Sequence, residues 1–480
     1  MVAFLDLASV VAPLSSVATS HALAWTVALL FLVWLFKKWC LPWLRTWLLL
    51  RSVPGPGDWI PFWFLACALW GNRRRLDKEN FTAGVFRVIT ELSKLHEGKT
   101  FKAYIGIIPI VGVHTPNAVQ AVLTAELKSD KPSMYKFLKP WLGSKNILMI
   151  GGDPWRSKRK LFMQGFQASA MENYCDFIGK SADCLVARIE KMLKEAPDEP
   201  IRCLDNVQKC ALDIIGRVIL GVDLGVQGEN HGNYSTYFHL LPVLVSMRFF
   251  QPWTWLDELY ILTHNGRLFR ETMRKIKDIT GGVTNTRKAE LQKLSNHTAD
   301  SQALEKNQDG SGSLFMDSLL LAHMKAPSSY TLDDVGKDAD FMMLAGGDSS
   351  SCAISWSIYL FGLHPDIQRK VQEELDVVFK DRENMECTQE DLKRLQYMEC
   401  CVKETLRLCP PVPYYGKILD QDLTLGQKFV MMEIKVVLAK VLSKFTVEAT
   451  RPLQELEMTF DIVLKAKGGL PVLFRKRNQT

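Results

Sequence analysis

Glu404 and Arg407 stand three residues apart in a stretch of helical periodicity, so a carboxylate and a guanidinium share one face. Alone, such a pair is an ordinary surface ion pair. Its helix, however, is apolar at Leu395, Tyr397, Met398, Val402, Leu406 and Leu408, and Pro410-Pro411-Val412-Pro413 ends it. A pair buried there needs further hydrogen bonds to be tolerated. Trp155 and Arg159 are four apart, behind Asp153 as a helix cap and Pro154 at the first helical position. An indole N–H and a guanidinium on one face can bind a pair of carboxylates. The other reading is an aromatic packed under a basic helix. The third group, Ala345-Gly346-Gly347-Asp348-Ser349-Ser350-Ser351, lies inside the longest helical pattern of the body. Two glycines there cost roughly 1 kcal/mol each relative to alanine, and serines can bond back to carbonyls and bend the helix. One reason to keep them is a kinked groove with room for a ligand, where Asp348 and a neighbouring hydroxyl relay protons. The other is close packing of a second helix on the glycines.

The elements that must position these groups are mostly helices. Helical patterns cover residues 83–95, 117–127, 171–196, 204–222, 267–294, 332–363, 365–379, 391–408 and 428–444. Residues 102–113 read as a strand pair broken near Pro109, and 445–474 read as strands. Residues 295–313 are polar and glycine-containing, a solvated loop. The fold class expected is α+β, predominantly helical. There is no phosphate-binding glycine loop after a strand and no H-E-x-x-H pair, which excludes nucleotide and zinc enzymes of those types.

A net charge of +7 over 480 residues, without a clustered basic stripe, speaks against a nucleic-acid partner. Eleven cysteines form no C-x-x-C pair and read as reduced, buried small hydrophobes in a reducing compartment. The four N-x-S/T triplets, at Asn80, Asn233, Asn296 and Asn478, then read as chance. The run 21–36 is nearly all apolar and is followed at once by Lys37 and Lys38, with only Asp6 charged before it. That asymmetry predicts a membrane anchor with a lumenal amino terminus and a cytosolic body. A cleaved signal peptide is the competing reading. Six tryptophans between Trp39 and Trp70 suit a membrane interface, and Pro54-Gly55-Pro56-Gly57 makes a stiff turn. The expected organisation is 1–36 lumenal terminus and anchor, 37–75 juxtamembrane segment, and 76–480 body.

The W-x-x-x-R helix (Trp155, Arg159), the glycine-acid-alcohol helix (residues 345–350) and the E-x-x-R helix (Glu404, Arg407) follow an anchor and proline hinge in that order. Together they resemble the cytochrome P-450 superfamily over almost the whole chain. Residues 136–143, 362–368 and 426–437 resemble its family 4, whose members are often fatty-acid and xenobiotic hydroxylases of microsomal membranes. The resemblance implies a haem-thiolate monooxygenase that inserts one atom of dioxygen into an apolar substrate. It implies a cytochrome P-450 reductase or a cytochrome b-type electron donor as partner, and a single-pass place in the endoplasmic reticulum membrane. It assigns Trp155, Arg159 and Lys417 to the haem propionates, Asp348 and Ser349 to an acid–alcohol pair that delivers protons, and Glu404 and Arg407 to the scaffold beneath the haem.

The chain departs from that pattern where it matters most. The family places a loop of form F-x-x-G-x-R-x-C-x-G after several strands. Here Gly426 stands where the residue two after that cysteine belongs, Thr424 takes the cysteine's register, and no cysteine follows Cys409. A threonine hydroxyl cannot supply the anionic sulfur that favours O–O cleavage. No residue is therefore singled out as a metal ligand, haem retention is in question, and an internal deletion between 425 and 426 is expected. Ala345 replaces the Glu that ester-links the haem in many family 4 members, so no covalent link is expected. The deletion predicts an apolar void with Phe429 and Met432 partly exposed to it. The alternative function is a non-catalytic, membrane-anchored protein that binds apolar ligands or a reductase.

Overall fold

The computed structural model describes residues 37, 41–55, 78–96, 100–105, 108–113, 119, 120, 122, 133–166, 168–228, 234–297, 314–380, 387–414 and 428–477. The expected anchor and Lys417 lie outside them. Among the described residues no helix is long and apolar enough to cross a membrane.

The chain divides into two compact units, 1–64 with 92–116 and 65–91 with 117–480. The first holds α1 (Leu41–Leu50) and the antiparallel strands β1 (Phe101–Ile105) and β2 (Ile108–Gly112). The Lys102 backbone N–H donates to the Pro54 carbonyl at 2.8 Å, and its ammonium to the Leu50 carbonyl at 3.2 Å. Pro54, the first residue of the proline-glycine segment, is thereby tied to β1. Pro109 does not break the strand pair as expected. It sits inside β2 opposite Tyr104, in a two-stranded sheet where both strands are edges and a missing N–H is tolerated.

The helix α2 (Lys78–Leu95) runs in the second unit through Glu91. After it come α3 (Gly152–Gln164), α4 (Ala168–Glu195), α5 (Cys203–Ile215), α6 (Tyr234–Phe249), α7 (Asp257–Leu262), α8 (His264–His297), α9 (Leu314–Lys325), α10 (Leu332–Leu363), α11 (Pro365–Val378), α12 (Gln396–Leu408) and α13 (Lys428–Lys444). The strands β3 (Ile201–Arg202), β4 (Phe445–Ala449) and β7 (Pro471–Lys476) form one antiparallel sheet in the order β3-β7-β4, and β5 (Met458–Asp461) pairs with β6 (Val463–Ala466) in a hairpin. The strands expected over 445–474 are all here.

The helix α10 is the axis of this unit. Thr331 and Asp334 form a capping box at its start: Thr331 Oγ1 accepts from the Asp334 N–H at 3.2 Å, and Asp334 Oδ2 from the Thr331 N–H at 3.0 Å. It ends before Pro365, which opens α11. Its middle is buried from Gly347 to Gly362 except at Ser349, so the serines there satisfy their hydroxyls by back-bonding, Ser355 to Ser351 at 2.7 Å and Ser357 to Ala353 at 2.8 Å. A side chain on Gly346 would put its Cβ 2.5 Å from Ile215 Cδ1, and one on Gly347 would lie 3.4 Å from Leu212. The glycines are therefore where α5 packs against α10. Of the two readings of this motif, close packing explains the glycines.

Three sequence expectations shift. The pattern over 391–408 splits at Leu395, which leaves the helical region between a short helix at Gln389–Arg394 and α12. Asp153 is not a cap; it lies in the first turn of α3 and accepts from Arg156 at 2.6 Å. Met432 is not exposed to a void but buried, its sulfur 3.5 Å from that of Cys175; the side chain of Phe429 lies outside the described set. Sequence periodicity also passed over α6. Pro242 interrupts it, and it is buried on more than one face at Tyr234, Phe238, Leu241, Leu244, Val245 and Met247, which leaves no amphipathic stripe.

Gly346→Leu is expected to lower stability by about 1–3 kcal/mol through overpacking against Ile215. Gly282→Ala, where a Cβ meets nothing within 4 Å, is expected to raise it by up to about 1 kcal/mol. Urea denaturation of the two variants beside the parent measures both.

Candidate functional site

Asp348 projects from α10 into the core. Its Oδ1 lies 3.3 Å from His239 Nδ1 on α6, 3.5 Å from Lys465 Nζ on β6, and accepts from Gln208 Nε2 on α5 at 3.4 Å. Burial alone would raise its carboxyl. The Lys465 ammonium and His239 outweigh burial and hold it down at about 2, so it is an anion at neutral pH. Its Oδ2 has no hydrogen-bond partner among the described residues. Ser349, the next residue, turns about 100° around the helix and donates to the Ala345 carbonyl.

Beside them is an acid that the sequence did not flag. Glu433 on α13 is 0% exposed, and its Oε1 lies 2.7 Å from Ser350 Oγ. Ser350 Oγ is also 2.6 Å from the Gly346 carbonyl. A hydroxyl has one proton and cannot donate to both. The Ser350 proton therefore goes to either the Gly346 carbonyl or Glu433 Oε1. Burial pushes the Glu433 carboxyl up to about 8, with Ser350 opposing. The available signal was a glutamate inside the apolar run Phe429-Val430-Met431-Met432-Glu433-Ile434.

On α3 the Arg159 guanidinium lies 5.1 Å from the centre of the Trp155 ring, and both residues are half-buried. The two expected partners meet, in the stacked arrangement of an aromatic under a basic helix. What fixes α3 is Lys158: its ammonium lies 2.7 Å from Asp338 of α10, donates to the Lys145 carbonyl at 2.6 Å, and lies over the Tyr330 ring. Asp338 also accepts from Tyr330 Oη at 2.7 Å and Asn146 Nδ2 at 3.0 Å. Burial still raises its carboxyl.

Glu404 and Arg407 meet too, with Arg407 Nε and Nη2 donating to the two carboxylate oxygens at 2.7 and 2.6 Å. The pair is not buried as the apolar helix suggested: the side chains are 55% and 67% exposed. The guanidinium holds the Glu404 carboxyl below its usual range. Leu408, Val412 and Tyr414, just beyond the pair, are also exposed. The site residues thus fall on three helices, each group held by its own contacts.

A thiolate-ligated haem needs an anionic sulfur. Cys409 caps α12, is 2% exposed, and burial pushes its thiol up to about 11. Cys352 donates to the Leu464 carbonyl at 2.7 Å, and burial pushes it up to about 12. Both are neutral thiols inside the core. The described residues do not fit a thiolate-ligated haem.

Asp348→Asn is expected to cost on the order of 3 kcal/mol, because His239 and Lys465 lose the carboxylate they face. Glu433 gives a pH signature. Its folded value of about 8 lies above its ordinary 4.5, so the unfolded chain releases the proton first. Stability then falls as pH rises from about 4.5 to 8, by up to about 1.4 kcal/mol per pH unit, and levels off above. Glu433→Gln is expected to flatten this slope in denaturation curves measured across that range.

The cytochrome P-450 family model matches residues 54–427 of this chain. Among curated relatives, cytochrome P-450 4V2 of Rattus norvegicus is 28% identical over 466 residues, covering 84% of this chain and 87% of the relative. Cytochrome P-450 4V2 of Homo sapiens is 28% identical over 439 residues, covering 78% and 82%. Cytochrome P-450 4F8 of Homo sapiens is 29% identical over 452 residues, covering 80% and 84%. A crystal structure of a cytochrome P-450, CYP102L1, superposes with a TM-score of 0.64 over 82% of this chain and 98% of that one, at 16% identity, a likeness of fold. A helical body around α10, with its glycine-acid-serine segment and the W-x-x-x-R and E-x-x-R helices in order, agrees with these matches: the chain belongs to the cytochrome P-450 family of haem monooxygenases and resembles its family 4.

Proposed function

We propose that this chain is a membrane-anchored, cytosol-facing cytochrome P-450 body of the endoplasmic reticulum that has lost oxygen insertion through an internal deletion between residues 425 and 426. Its intact relatives would act on an apolar substrate such as a fatty acid, lipid or xenobiotic, with electrons from a reductase or a cytochrome b-type donor. The observation that carries the loss is the state of the cysteines: none follows Cys409, and Cys409 is a buried, neutral thiol at a helix end. Trp155, Arg159 and Lys417 keep residue types that would hold propionates, and Asp348 and Ser349 keep the acid and alcohol. In this chain Arg159 is engaged by Trp155, and Asp348 serves as a counter-ion in the core. What survives is a scaffold able to bind apolar ligands or a reductase.

The anchor reading of residues 1–36 rests on the apolar run and its basic flank. A feature of the second unit also suits contact with a membrane. Arg248, 3% exposed, donates to the carbonyls of Thr254 and Trp255 and pairs with Asp257, and its guanidinium lies 4.2 Å from the centre of the Tyr260 ring. This clamp makes a rigid platform on which Trp253, Leu256, Leu259 and Leu262 face outward. An apolar patch held out by a buried arginine suits contact with a bilayer.

The purified full chain, supplied with haem, reduced and exposed to carbon monoxide, is expected to show no thiolate-type red-shifted Soret band. A red-shifted band that disappears in Cys409→Ser would instead mean that Cys409 has taken the lost ligand's place, and the loss of activity would be refuted.

A further inference from the structure

The apolar patch of Trp253, Leu256, Leu259 and Leu262 leads directly into the first turns of α8. Two close contacts fix the join. A Cβ on Gly266 of α8 would sit 1.8 Å from the Tyr260 carbonyl oxygen of α7, and the Gly266 N–H donates to Thr263 Oγ1 at 3.0 Å. Any side chain at 266 would push α7 off α8, so the glycine keeps the two helices locked as one piece. Beyond the join, Arg267, Arg270 and Arg274 are all exposed. Spacings of three and four set them on one face of α8, while Phe269, Thr272 and Ile276 are buried on the other. Arg270 Nη2 donates to the Ile261 carbonyl at 3.4 Å. Its guanidinium is thereby held at the end of α7, where Leu262 is 75% exposed.

These cations are not spent on carboxylates. Among the described residues none of the three arginines forms an ion pair, and the acids beside them are taken by other bases. Glu271 pairs with Lys275 at 2.9 Å, and Asp257 with the buried Arg248. A fourth exposed cation, Lys136, lies 5.6 Å from the centre of the Trp255 ring. Against these four stand two exposed acids, Glu258 and Asp278. A row of positive charge alone is a solvated face, and an apolar patch alone fits any apolar surface. Joined rigidly, the two have a narrower match. The leucines and Trp253 need an apolar medium to sink into, and the arginines need negative charge at its rim. A bilayer interface with anionic headgroups supplies both, and a guanidinium pairs with phosphate or carboxylate through two parallel hydrogen bonds. A neutral bilayer satisfies the apolar side chains only. An acidic soluble partner satisfies the arginines and leaves the apolar side chains without their medium.

We propose that the patch and the arginine row together form a docking face for an anionic phospholipid surface, with Trp253, Leu256, Leu259 and Leu262 among the acyl chains and Arg267, Arg270 and Arg274 on the charged headgroups. The inference rests on the bilayer contact proposed above and adds the class of lipid. Trp253 serves as the reporter. The full chain is reconstituted in vesicles of phosphatidylcholine, alone or mixed with phosphatidylserine, both brominated in their acyl chains. Quenching of Trp253 is read as the difference between the parent and Trp253→Phe. Quenching is expected in both vesicles and is expected to be stronger with phosphatidylserine, since each basic side chain near an anionic leaflet favours the docked state by roughly fivefold. The combined variant Arg267→Gln, Arg270→Gln and Arg274→Gln is expected to lose the phosphatidylserine increment and keep the quenching in neutral lipid, and high salt is expected to do the same to the parent. All three positions are exposed, so the variant should melt with the parent. Absence of Trp253 quenching in every vesicle would refute the bilayer contact and the proposal together. Equal quenching with and without phosphatidylserine, or an increment that survives the arginine substitutions, would overturn the lipid class and leave the bilayer contact standing.

Discussion

Every polar side chain that α10 carries into the core has to find a partner there, since a buried group left without one costs about 1–3 kcal/mol. The long helix meets this demand with one neighbour after another. Asp338 takes Lys158 and so fixes α3. Asp340 takes Thr280 and ties in α8. Asp348 draws together α5, α6 and β6 through Gln208, His239 and Lys465. Ser350 reaches Glu433 and sets the register of α13. The apolar core gives these helices their adhesion, and the ladder of acids and hydroxyls on α10 decides which residue faces which.

The same ladder is built from residues outside the stretch where the family's cysteine loop is expected. None of these contacts uses residues between 415 and 427. Glu404 and Arg407, which do border that stretch, satisfy each other and face solvent. The chemistry is less forgiving than the fold. An anionic sulfur requires a thiol whose pKa is lowered by positive charge or a metal, and the cysteines near α10 and α12 are in apolar surroundings that do the opposite.

Residue order and local pattern carried a large part of this protein. The extents of α10, α11 and α13, the strands after 445, the fold class and the family followed from periodicity, proline placement and the order of short motifs, because these depend on neighbours within a few residues. So did the meeting of Trp155 with Arg159 and of Glu404 with Arg407, each fixed by helical geometry at a spacing of four or three. The absence of a cysteine after Cys409 is likewise a property of the chain itself.

Tertiary structure decided the rest. The sequence left two reasons for Gly346 and Gly347, and the approach of Ile215 from 131 residues away chose one. It made the E-x-x-R pair look buried, and only the arrangement of neighbouring elements shows that it faces water. The protonation of Glu433 and the charge on Asp348 had no local signature at all. Each is set by burial and by partners far away in the chain, and electrostatic free energy depends on distance in space and on solvent access, which one-dimensional spacing does not encode.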